Sequence, residues 1–365
     1  KEYLGQEVVP NSGCGSWLLE PQSTNLITNS EDLSNFSKTN ITEADGNQVT
    51  PNGAIGSIKI TPTASDLTQL QTSSLTVGAS YSFSFFVKKA EASHLIINQA
   101  GSASQKISYD IGNLSYIGIS GVDANIVSYG NEWVRVEYSV NSLTYNNIRI
   151  ILSDGSGNYP YNPPIGDGLY LWGFQLEQNS YPTSYIPTQG AISTRLADIA
   201  NNSGNASLIN SEEGVLYAEI SALANDLTYR SIGLNSGSAT NRLLLTFNNV
   251  SNNINFLIQV GGVTQVNINY ASANITSNKK YALKFKQNDF ALWVDGVEVG
   301  TDTSGATFTL NTLNNVSFDN SNGADNFYGK NKALAVYKTA LTDASLRSLT
   351  YPSAVATTFD LNFNT

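Results

Sequence analysis

GLYLWGFQLEQNSYPTSYIPTQGAISTRLAD, residues 168–198, is the stretch that decides the fold. Its first part alternates between two apolar sets, Leu169, Leu171 and Gly173 on one face and Tyr170, Trp172 and Phe174 on the other. A strand with two apolar faces is typical of a sandwich interior. Pro182 and Pro187 then prevent regular strand pairing. The stretch therefore predicts a buried strand that closes one domain, followed by an exit in which Tyr181 and Tyr185 pack at the junction with a second domain.

The composition extends this prediction to the whole chain. Its 365 residues exceed one typical domain, so two domains are expected. Apolar residues make up 41% of the chain, whereas charged residues make up only 13%, because Ser, Thr, Asn and Gly fill the polar positions. Such a composition favours strands and turns over helices with charged surfaces. The predicted fold class is all-β: two tandem antiparallel β-sandwich (jelly-roll) domains with one short C-terminal helix.

Charge and cysteine content exclude several classes of function. The formal net charge is −10, and phosphate binding needs a basic face, so we expect no nucleic-acid partner. No apolar run reaches the roughly 18 residues that span a bilayer, so no membrane insertion is predicted. An acidic, neutral-polar surface is compatible with uncharged sugars. Cys14 is the only cysteine, so neither an internal disulfide nor a thiolate metal site is expected.

Strand patterns and turn signals define five predicted segments. Tyr81, Phe83, Phe85 and Val87 share one face of SYSFSFFVK, and Asp295-Gly296 is the dipeptide that a type I′ hairpin turn prefers. Thr342 is the predicted N-cap of a short helix over DASLRSLT. The segments are an N-terminal arm (1–24), a jelly-roll domain (25–188), a linker (189–212), a second sandwich (213–352) and a C-terminal tail or strand (353–365).

Several strings in both halves also resemble known families. LEPQSTNLITNSED (19–32) and residues 168–198 resemble the two ends of a carbohydrate-binding-module-like jelly roll, with VTPNGAIGSIKIT, YSFSFFVK and NEWVRVEYS in its usual internal order. The second half resembles a LamG-like, concanavalin A-like sandwich in KYALKFKQNDFALWVDGVEVGTDTSG, NVSFDN and FYGKNKALAVYKTALTDASLRSLT. The first module recurs in phage virion proteins and in secreted bacterial proteins.

The resemblance implies a non-enzymatic protein on the virion surface of a tailed phage, such as a tail fibre, head fibre or capsid decoration. Its partners would be a bacterial surface polysaccharide or glycan and other virion proteins, and such proteins are usually homotrimers. Three alternatives remain open: a purely structural virion protein, a secreted bacterial adhesin or accessory carbohydrate-binding protein, and, least favoured, a glycan hydrolase or lyase.

Catalytic motifs are sparse in the sequence. His94 is the only histidine, so a Ser-His-Asp or Cys-His site would have to use it, and no phosphate-binding glycine motif is present. Glycosidases need a pair of carboxylates at a defined separation. Glu212 and Glu213 are adjacent, and neighbours on a strand face opposite ways. The sequence therefore predicts no enzymatic activity.

Oxygen-rich loops and loop aromatics supply the candidate ligand sites. Cofactors are not expected, except for a structural Ca²⁺ held by loop carboxylates, although the same residues form ordinary turns. The candidate calcium ligands are Asp154, Asp167, Asp302, Asp319 and Asp325. Sugar rings stack on exposed aromatic side chains and bind amides through their hydroxyls. The candidate glycan contacts are Asn158, Tyr159 and Tyr161 in the loop GNYPYNPP, together with Trp293. The alternatives are core packing for Trp293, and an oligomer interface or packing within the loop for the two tyrosines.

Overall fold

A computed structural model of the chain describes residues 15–72, 74–100, 105–118, 121–156, 163–271 and 274–352, and the backbone of two short strands before them. The strands, in chain order, are β1 (Glu2–Tyr3), β2 (Gln6–Glu7), β3 (Trp17–Leu19), β4 (Ser23–Asn25), β5 (Ser37–Thr39), β6 (Ile41–Asp45), β7 (Ile58–Pro62), β8 (Gln69–Gln71), β9 (Tyr81–Lys89), β10 (His94–Asn98), β11 (Ile107–Asp110), β12 (Ser115–Gly118), β13 (Asp123–Ser128), β14 (Trp133–Val140), β15 (Arg149–Leu152), β16 (Leu169–Glu177), β17 (Ser193–Arg195), β18 (Glu213–Ala222), β19 (Arg230–Asn235), β20 (Arg242–Phe247), β21 (Asn253–Val260), β22 (Val263–Ala271), β23 (Lys279–Lys286), β24 (Phe290–Val294), β25 (Val297–Asp302), β26 (Asn315–Ser317) and β27 (Gly329–Tyr337). The described helix is α1 (Asp343–Thr350). The predicted all-β fold class is confirmed.

The chain forms two compact units. The first contains Pro21–Ala197, and the second contains residues from Asp198 onward together with residues 15–20. The change of unit at 197/198 falls within the predicted linker 189–212. The predicted tail, 353–365, lies outside the described residues.

The first unit is a sandwich of two six-stranded antiparallel sheets. One sheet has the order β12-β11-β10-β15-β8-β5, and the other has the order β13-β14-β9-β16-β7-β6. Phe83 and Phe85 from β9 face Leu95 and Ile97 from β10 in a single buried cluster between the sheets. The inward set predicted for SYSFSFFVK is confirmed, because Tyr81, Phe83, Phe85 and Val87 all belong to this core.

Strand β16 departs from simple alternation at Gly173. The pairing between β16 and β9 shifts register between Trp172 and Gln175, and Gly173 has φ +68°. Leu169, Leu171, Phe174 and Leu176 therefore point into the sandwich core, while Trp172 points outward. The prediction that Phe174 shares a face with Trp172 is wrong, because a bulge adds one residue and reverses the facing of every side chain after it.

The exit after β16 covers the outer face of the same sheet. The ring of Tyr185 packs on Trp172 and Phe86, with centroid distances of 4.8 Å and 6.0 Å. Asn25 Nδ2 donates hydrogen bonds to the carbonyl oxygens of Phe174 and Ile186, which joins the exit to the strand. Tyr185 thus belongs to the interior of the first unit, which corrects its predicted place at a domain junction.

A buried carboxylate organises the turn within this exit. Glu177 is fully buried and accepts hydrogen bonds from Ser23 Oγ at 2.5 Å, from Gln175 Nε2 at 2.8 Å and from the backbone N–H of Thr183 at 2.9 Å. Arg135 donates to the carbonyl oxygen of Thr183 at 2.7 Å. Since buried charges are stable only when their hydrogen-bonding capacity is met, these contacts are structural.

The second unit is also an antiparallel sandwich. Its sheets have the orders β25-β24-β23-β18-β27-β3 and β22-β21-β20-β19-β26, and its core joins Leu216 and Leu283 from one sheet to Leu245 and Phe256 from the other. The predicted turn at Asp295-Gly296 is confirmed: these residues have φ +47° and +83°, and they connect β24 to β25.

The part of the predicted N-terminal arm in β3 is an edge strand of this second unit. Trp17, Leu18 and Leu19 pair antiparallel with Asn331, Lys330 and Gly329 of β27. Leu19 enters the core, whereas Trp17 remains largely exposed. Within residues 15–352 the chain therefore passes between the units at 20/21 and at 197/198.

Helix α1 covers one outer face of the second unit. Leu346 is fully buried in a cluster with Trp293, Ala282 and Val215. Thr342 is the N-cap, as predicted, because its Oγ1 accepts the Ser345 N–H at 3.3 Å. Lys284 reaches Asp343 of the helix, and although burial lowers its pKa, hydrogen bonding and charge from Asp289 and Asp343 raise it above 10.5 overall. No helix in the described part of the chain is long and apolar enough to span a bilayer.

Candidate functional site

The candidate glycan residues do not form one described site. Asn158, Tyr159 and Tyr161 lie outside the described residues. Trp293 is only 6% exposed beneath helix α1, where it contacts Leu346. A ring in that position offers no open face to a sugar, so Trp293 is a core residue and its assignment as a ligand contact is corrected.

The five candidate calcium ligands fall in several separate places. Asp154 lies in a turn of the first unit, where hydrogen bonds from Ser156 lower its pKa, and Asp167 lies in the loop before β16. Asp302 accepts hydrogen bonds from Ser304 at the end of β25. Asp319 and Asp325 are the only two of the five that share a loop, where Asn320 Nδ2 donates to Asp325 at 2.8 Å.

The Asp319 carboxylate is occupied by donors from the protein. It is buried and accepts hydrogen bonds from Asn201 Nδ2 at 2.9 Å, from the Ser321 N–H at 2.7 Å and from the Gly323 N–H at 3.1 Å. The oxygens of the Asp319 carboxylate are therefore used to hold the loop in its conformation. Within the residues that the structure describes, no three His, Cys, Asp or Glu side chains are grouped to hold a metal ion.

His94 forms a local polar chain with two neighbours. Its Nδ1 lies 3.1 Å from Ser93 Oγ, and its Nε2 lies 3.4 Å from Asp110 Oδ2. Burial raises the pKa of Asp110, but hydrogen bonds from Asn113, the charge of His94 and the Gly112 N–H lower it overall. His94 and Asp110 are register partners on β10 and β11, so strand pairing accounts for the contact without a catalytic role.

Among the described residues, an open cleft in the second unit is a candidate site. It has a volume of about 560 Å³, within the usual range for ligand sites. The lining residues are Asn210, Glu212, Glu213, Lys286, Gln287, Ala306, Thr307, Phe308 and Thr309. We refer to this surface as the cleft. It lies at one end of β18 and β23, and Phe308 anchors it from below because that ring belongs to the buried core.

Hydrogen bonds hold the walls of the cleft. The Glu212 N–H donates to Asn210 Oδ1 at 3.1 Å, and Asn210 Nδ2 donates to the Lys338 carbonyl at 2.8 Å. On the opposite wall, the Ala306 N–H donates to Gln265 Oε1 at 3.0 Å. Since backbone groups on both sides are tied down, the cleft is organised before any ligand arrives.

The charged groups of the cleft include one ion pair and one further carboxylate. Glu213 Oε2 lies 3.0 Å from Lys286 Nζ, across the register pair between β18 and β23. Glu212 precedes β18 and is exposed. The two glutamates and one lysine give the cleft a formal charge of −1, so it disfavours anions. Neutral polar ligands can hydrogen-bond to its carboxylate, amide and hydroxyl groups.

Sequence reasoning missed the cleft. Glu212 and Glu213 were expected to face opposite ways, yet both line it, because Glu212 stands before the first residue of β18 and its direction is not set by the pleat. Residues 306–309 have no strand or helix pattern that marks them as a wall. The one sequence feature that pointed to the cleft was the adjacent pair of glutamates. It was rejected because neighbouring residues on a strand face opposite ways.

Known proteins were compared with the chain by family, by sequence and by structure. No family model and no curated protein matches it. Among solved structures, the CBM40 of the Ruminococcus gnavus IT-sialidase is similar at 17% identity over 42% of this chain and 95% of that one, with a TM-score of 0.35. A pentraxin from Limulus polyphemus is similar at 12% identity over 41% of this chain and 74% of that one, with a TM-score of 0.34. Domains LG4-5 of the mouse laminin alpha1 chain are similar at 11% identity over 74% of this chain and 85% of that one, with a TM-score of 0.28.

These similar structures include a carbohydrate-binding module, and the same module was also solved bound to α2,3 and α2,6 sialyllactose. Sheep galectin-11 in complex with glycerol is also similar, at 7% identity and a TM-score of 0.27. Because every one of these TM-scores is below 0.5, the function of this chain has to be inferred from its own residues.

Proposed function

We propose that this protein is a non-enzymatic glycan-binding protein and that the cleft contacts the sugar. The observation that carries the proposal is the polar lining of a pre-organised cleft of about 560 Å³. Sugars present many hydroxyl groups, each both a donor and an acceptor, and the cleft offers both kinds of partner. Its formal charge of −1 and the net charge of −10 favour neutral sugars over anionic ones.

Two side chains of the cleft are the expected sugar contacts. Glu212 and Gln287 are exposed, and among the described residues no hydrogen bond or ion pair engages the Glu212 carboxylate or the Gln287 carboxamide. Glu213 and Lys286 are engaged with each other, so they shape the cleft. A sugar that binds Glu212 and Gln287 would gain hydrogen bonds without breaking existing ones, each contributing about 1 kcal/mol.

Glycan binding is tested on a glycan array with the full chain and a Glu212→Ala/Gln287→Ala double variant. The matched control is Gln178→Ala/Glu298→Ala, which removes an exposed amide and an exposed carboxylate elsewhere. We expect the cleft variant to weaken binding about tenfold or more, since two hydrogen bonds are lost, and the control to bind like the parent. If the cleft variant binds the array as strongly as the parent, the glycan site does not lie in the cleft. No binding by the parent would overturn the proposed function.

The loop with Asn158, Tyr159 and Tyr161 supplies the competing location for the glycan site. A Tyr159→Ala/Tyr161→Ala variant, assayed on the same array, separates the two locations. Loss of binding in this variant with retention in the cleft variant would place the site in the loop and leave the glycan-binding function intact.

The biological setting that we propose is the surface of a virion, where the protein would bind the polysaccharide of a bacterial host. The sequence resemblance supports this setting, including a homotrimer and contacts with other virion proteins. Its competitors are a purely structural virion protein and a secreted bacterial adhesin. Mass spectrometry of purified particles tests it, and absence from particles would favour the secreted alternative. Release of reducing ends from a bound polysaccharide would overturn the non-enzymatic assignment.

A further inference from the structure

A second polar surface lies on the outer side of β21 and β22, which form one edge of the five-stranded sheet. Inward positions of these strands, such as Ile254, Phe256 and Val266, belong to the core. Alternation therefore points the intervening residues outward. The outward residues of β21 and β22 include Asn255, Leu257, Gln259, Asn267 and Asn269, all uncharged, and a register shift beside Gln259 adds Thr264 to the same face. We refer to this surface as the amide face.

Three asparagines form a ladder across the β21–β22 pair. Asn255 Nδ2 donates to Asn267 Oδ1 at 2.7 Å and to Asn269 Oδ1 at 3.2 Å. Asn269 Nδ2 also donates to Asn267 Oδ1 at 3.3 Å. These bonds fix the planes of the amides while Asn267 and Asn269 stay exposed. Amides held at fixed orientations bind hydroxyl groups with little loss of side-chain entropy.

A cation, Arg242, lies beside the amide face and is directed to acceptors of the protein. Arg242 donates through Nε to Gln259 Oε1 at 2.8 Å and through Nη1 to the Asn320 carbonyl at 2.6 Å, so its guanidinium is already engaged. Leu257 is half-buried between the amides and offers only a small apolar area. Among the described residues, the face therefore has no cluster of basic groups for phosphate, since the neighbouring cation is bound to protein acceptors, and it lacks the large apolar centre of a protein interface.

The amide face also adjoins the cleft. Gln265 of β22 accepts a hydrogen bond from Ala306 of the cleft wall, and Asn267 lies two residues further along the same strand. We infer that the amide face is a second contact surface for a neutral polysaccharide, whose chain extends from the cleft along β22. This inference rests on the proposed function, because it assumes that the cleft holds a sugar.

Affinity electrophoresis in gels that contain dextran, mannan or galactan tests the inference, with alginate as the anionic comparison. An Asn267→Ala/Asn269→Ala variant removes the exposed amides, and Asn314→Ala is the control for an exposed asparagine elsewhere in the unit. We expect retardation by at least one neutral polymer and about tenfold weaker retardation of the double variant, from the loss of two hydrogen bonds. Binding of trisaccharides on the array should stay unchanged.

Equal retardation of the double variant and the parent would overturn the inference and leave the proposed function standing. Retardation by alginate alone would also overturn the inference, and it would contradict the preference for neutral sugars in the proposed function. Light scattering tests whether the double variant differs from the parent in oligomeric state. A difference while retardation is unchanged would mean that the face binds a second copy of the chain, and it would overturn the inference. If the double variant no longer unfolds cooperatively, Thr264→Ala is tested in its place, because Thr264 is exposed on the same face. Weaker retardation of Thr264→Ala would then support the inference, and retardation equal to that of the parent would overturn it. Absence of array binding by the parent removes the proposed function itself.

Discussion

Trp172 and Tyr185 pack ring against ring, with their centroids 4.8 Å apart, although one lies in β16 and the other in the exit that follows it. The Tyr185 hydroxyl lies 2.7 Å from Ser30 Oγ, which ties the exit to the N-terminal side of the first unit. The outer face of a central sheet is thereby kept from solvent by the segment that leaves it.

Truncation of Tyr185 tests the strength of this cover. We expect Tyr185→Ala to lower the free energy of unfolding by about 3–5 kcal/mol, since a buried ring is lost. Tyr185→Phe keeps the ring and loses one hydrogen bond, so about 1 kcal/mol is expected. Urea unfolding of both variants measures the difference. Equal losses would mean that the hydroxyl, rather than the ring, holds the exit.

Alanine at Gly173 tests the bulge in β16. A Cβ at this position would lie 2.8 Å from Phe86 Cδ2, and φ is +68°. We expect Gly173→Ala to cost about 2–4 kcal/mol, from backbone strain together with displacement of the ring. Gly190→Ala is the control, because it has φ +80° with no neighbour within 4 Å, so strain alone costs about 1 kcal/mol. If thermal unfolding shows similar losses for both, the contact with Phe86 carries no cost.

Helix α1 is expected to depend on one leucine. Leu346→Ala removes a fully buried side chain from the cluster that covers Trp293, and we expect a loss of about 2–4 kcal/mol together with a red-shifted tryptophan emission. Ser348→Ala, at an exposed position of the same helix, should stay within about 0.5 kcal/mol of the parent. An unchanged emission in Leu346→Ala would show that the helix does not protect Trp293.

The pair formed by Lys59 and Glu91 predicts a pH dependence of stability. Hydrogen bonds from Lys59, at 2.7 Å, and from the Gly168 N–H lower the pKa of Glu91 from 4.5 to about 2. Because the folded pKa is the lower one, this stabilisation is present above pH 4.5 and disappears as the pH falls towards 2. The pair is largely exposed, so its contribution is at most about 0.5 kcal/mol.

Glu91→Gln should therefore be slightly less stable than the parent at pH 7 and equal to it near pH 2. Urea titrations at pH 7, 4 and 2.5 measure the difference. A difference that grows as the pH falls would contradict the assignment.

The loop around Asp319 is expected to be stable without calcium. Asp319→Ala leaves three donors without their acceptor, and we expect a loss of about 2–4 kcal/mol that is the same in EDTA and in calcium. Asp319→Asn keeps one acceptor oxygen and should lose less. A melting temperature of the parent that rises with calcium, and no longer rises in Asp319→Asn, would show instead that the loop holds the ion.

Strands and turns that bury a regular set of apolar side chains could be predicted from the sequence. The strand predicted over residues 80–88, the turn at Asp295-Gly296 and the cap at Thr342 all follow from short-range rules. The structure contains each of them, with the strand at Tyr81–Lys89. Exposed edge strands were missed. Ser37–Thr39 and Ser115–Gly118 carry no alternating apolar set, because neighbouring strands alone hold them in place.

Features that depend on distant contacts could not be predicted. The outward ring of Trp293 suggested a sugar platform, but helix α1, about 50 residues later in the chain, covers it. The cleft brings together residues near 212, 286 and 308, and no local pattern records that they meet. The site thus needed the tertiary structure, whereas the fold class did not.

The pairing of β3 with β27 also affects how the chain acquires its structure during synthesis. Leu19 and Gly329 are register partners, so an edge strand made early has to wait for roughly 300 further residues before its partner leaves the ribosome. The intervening first unit can fold during that interval, since its strands are all present by residue 197. We therefore expect the two sandwiches to fold one after the other during synthesis, with β3 among the last strands to pair.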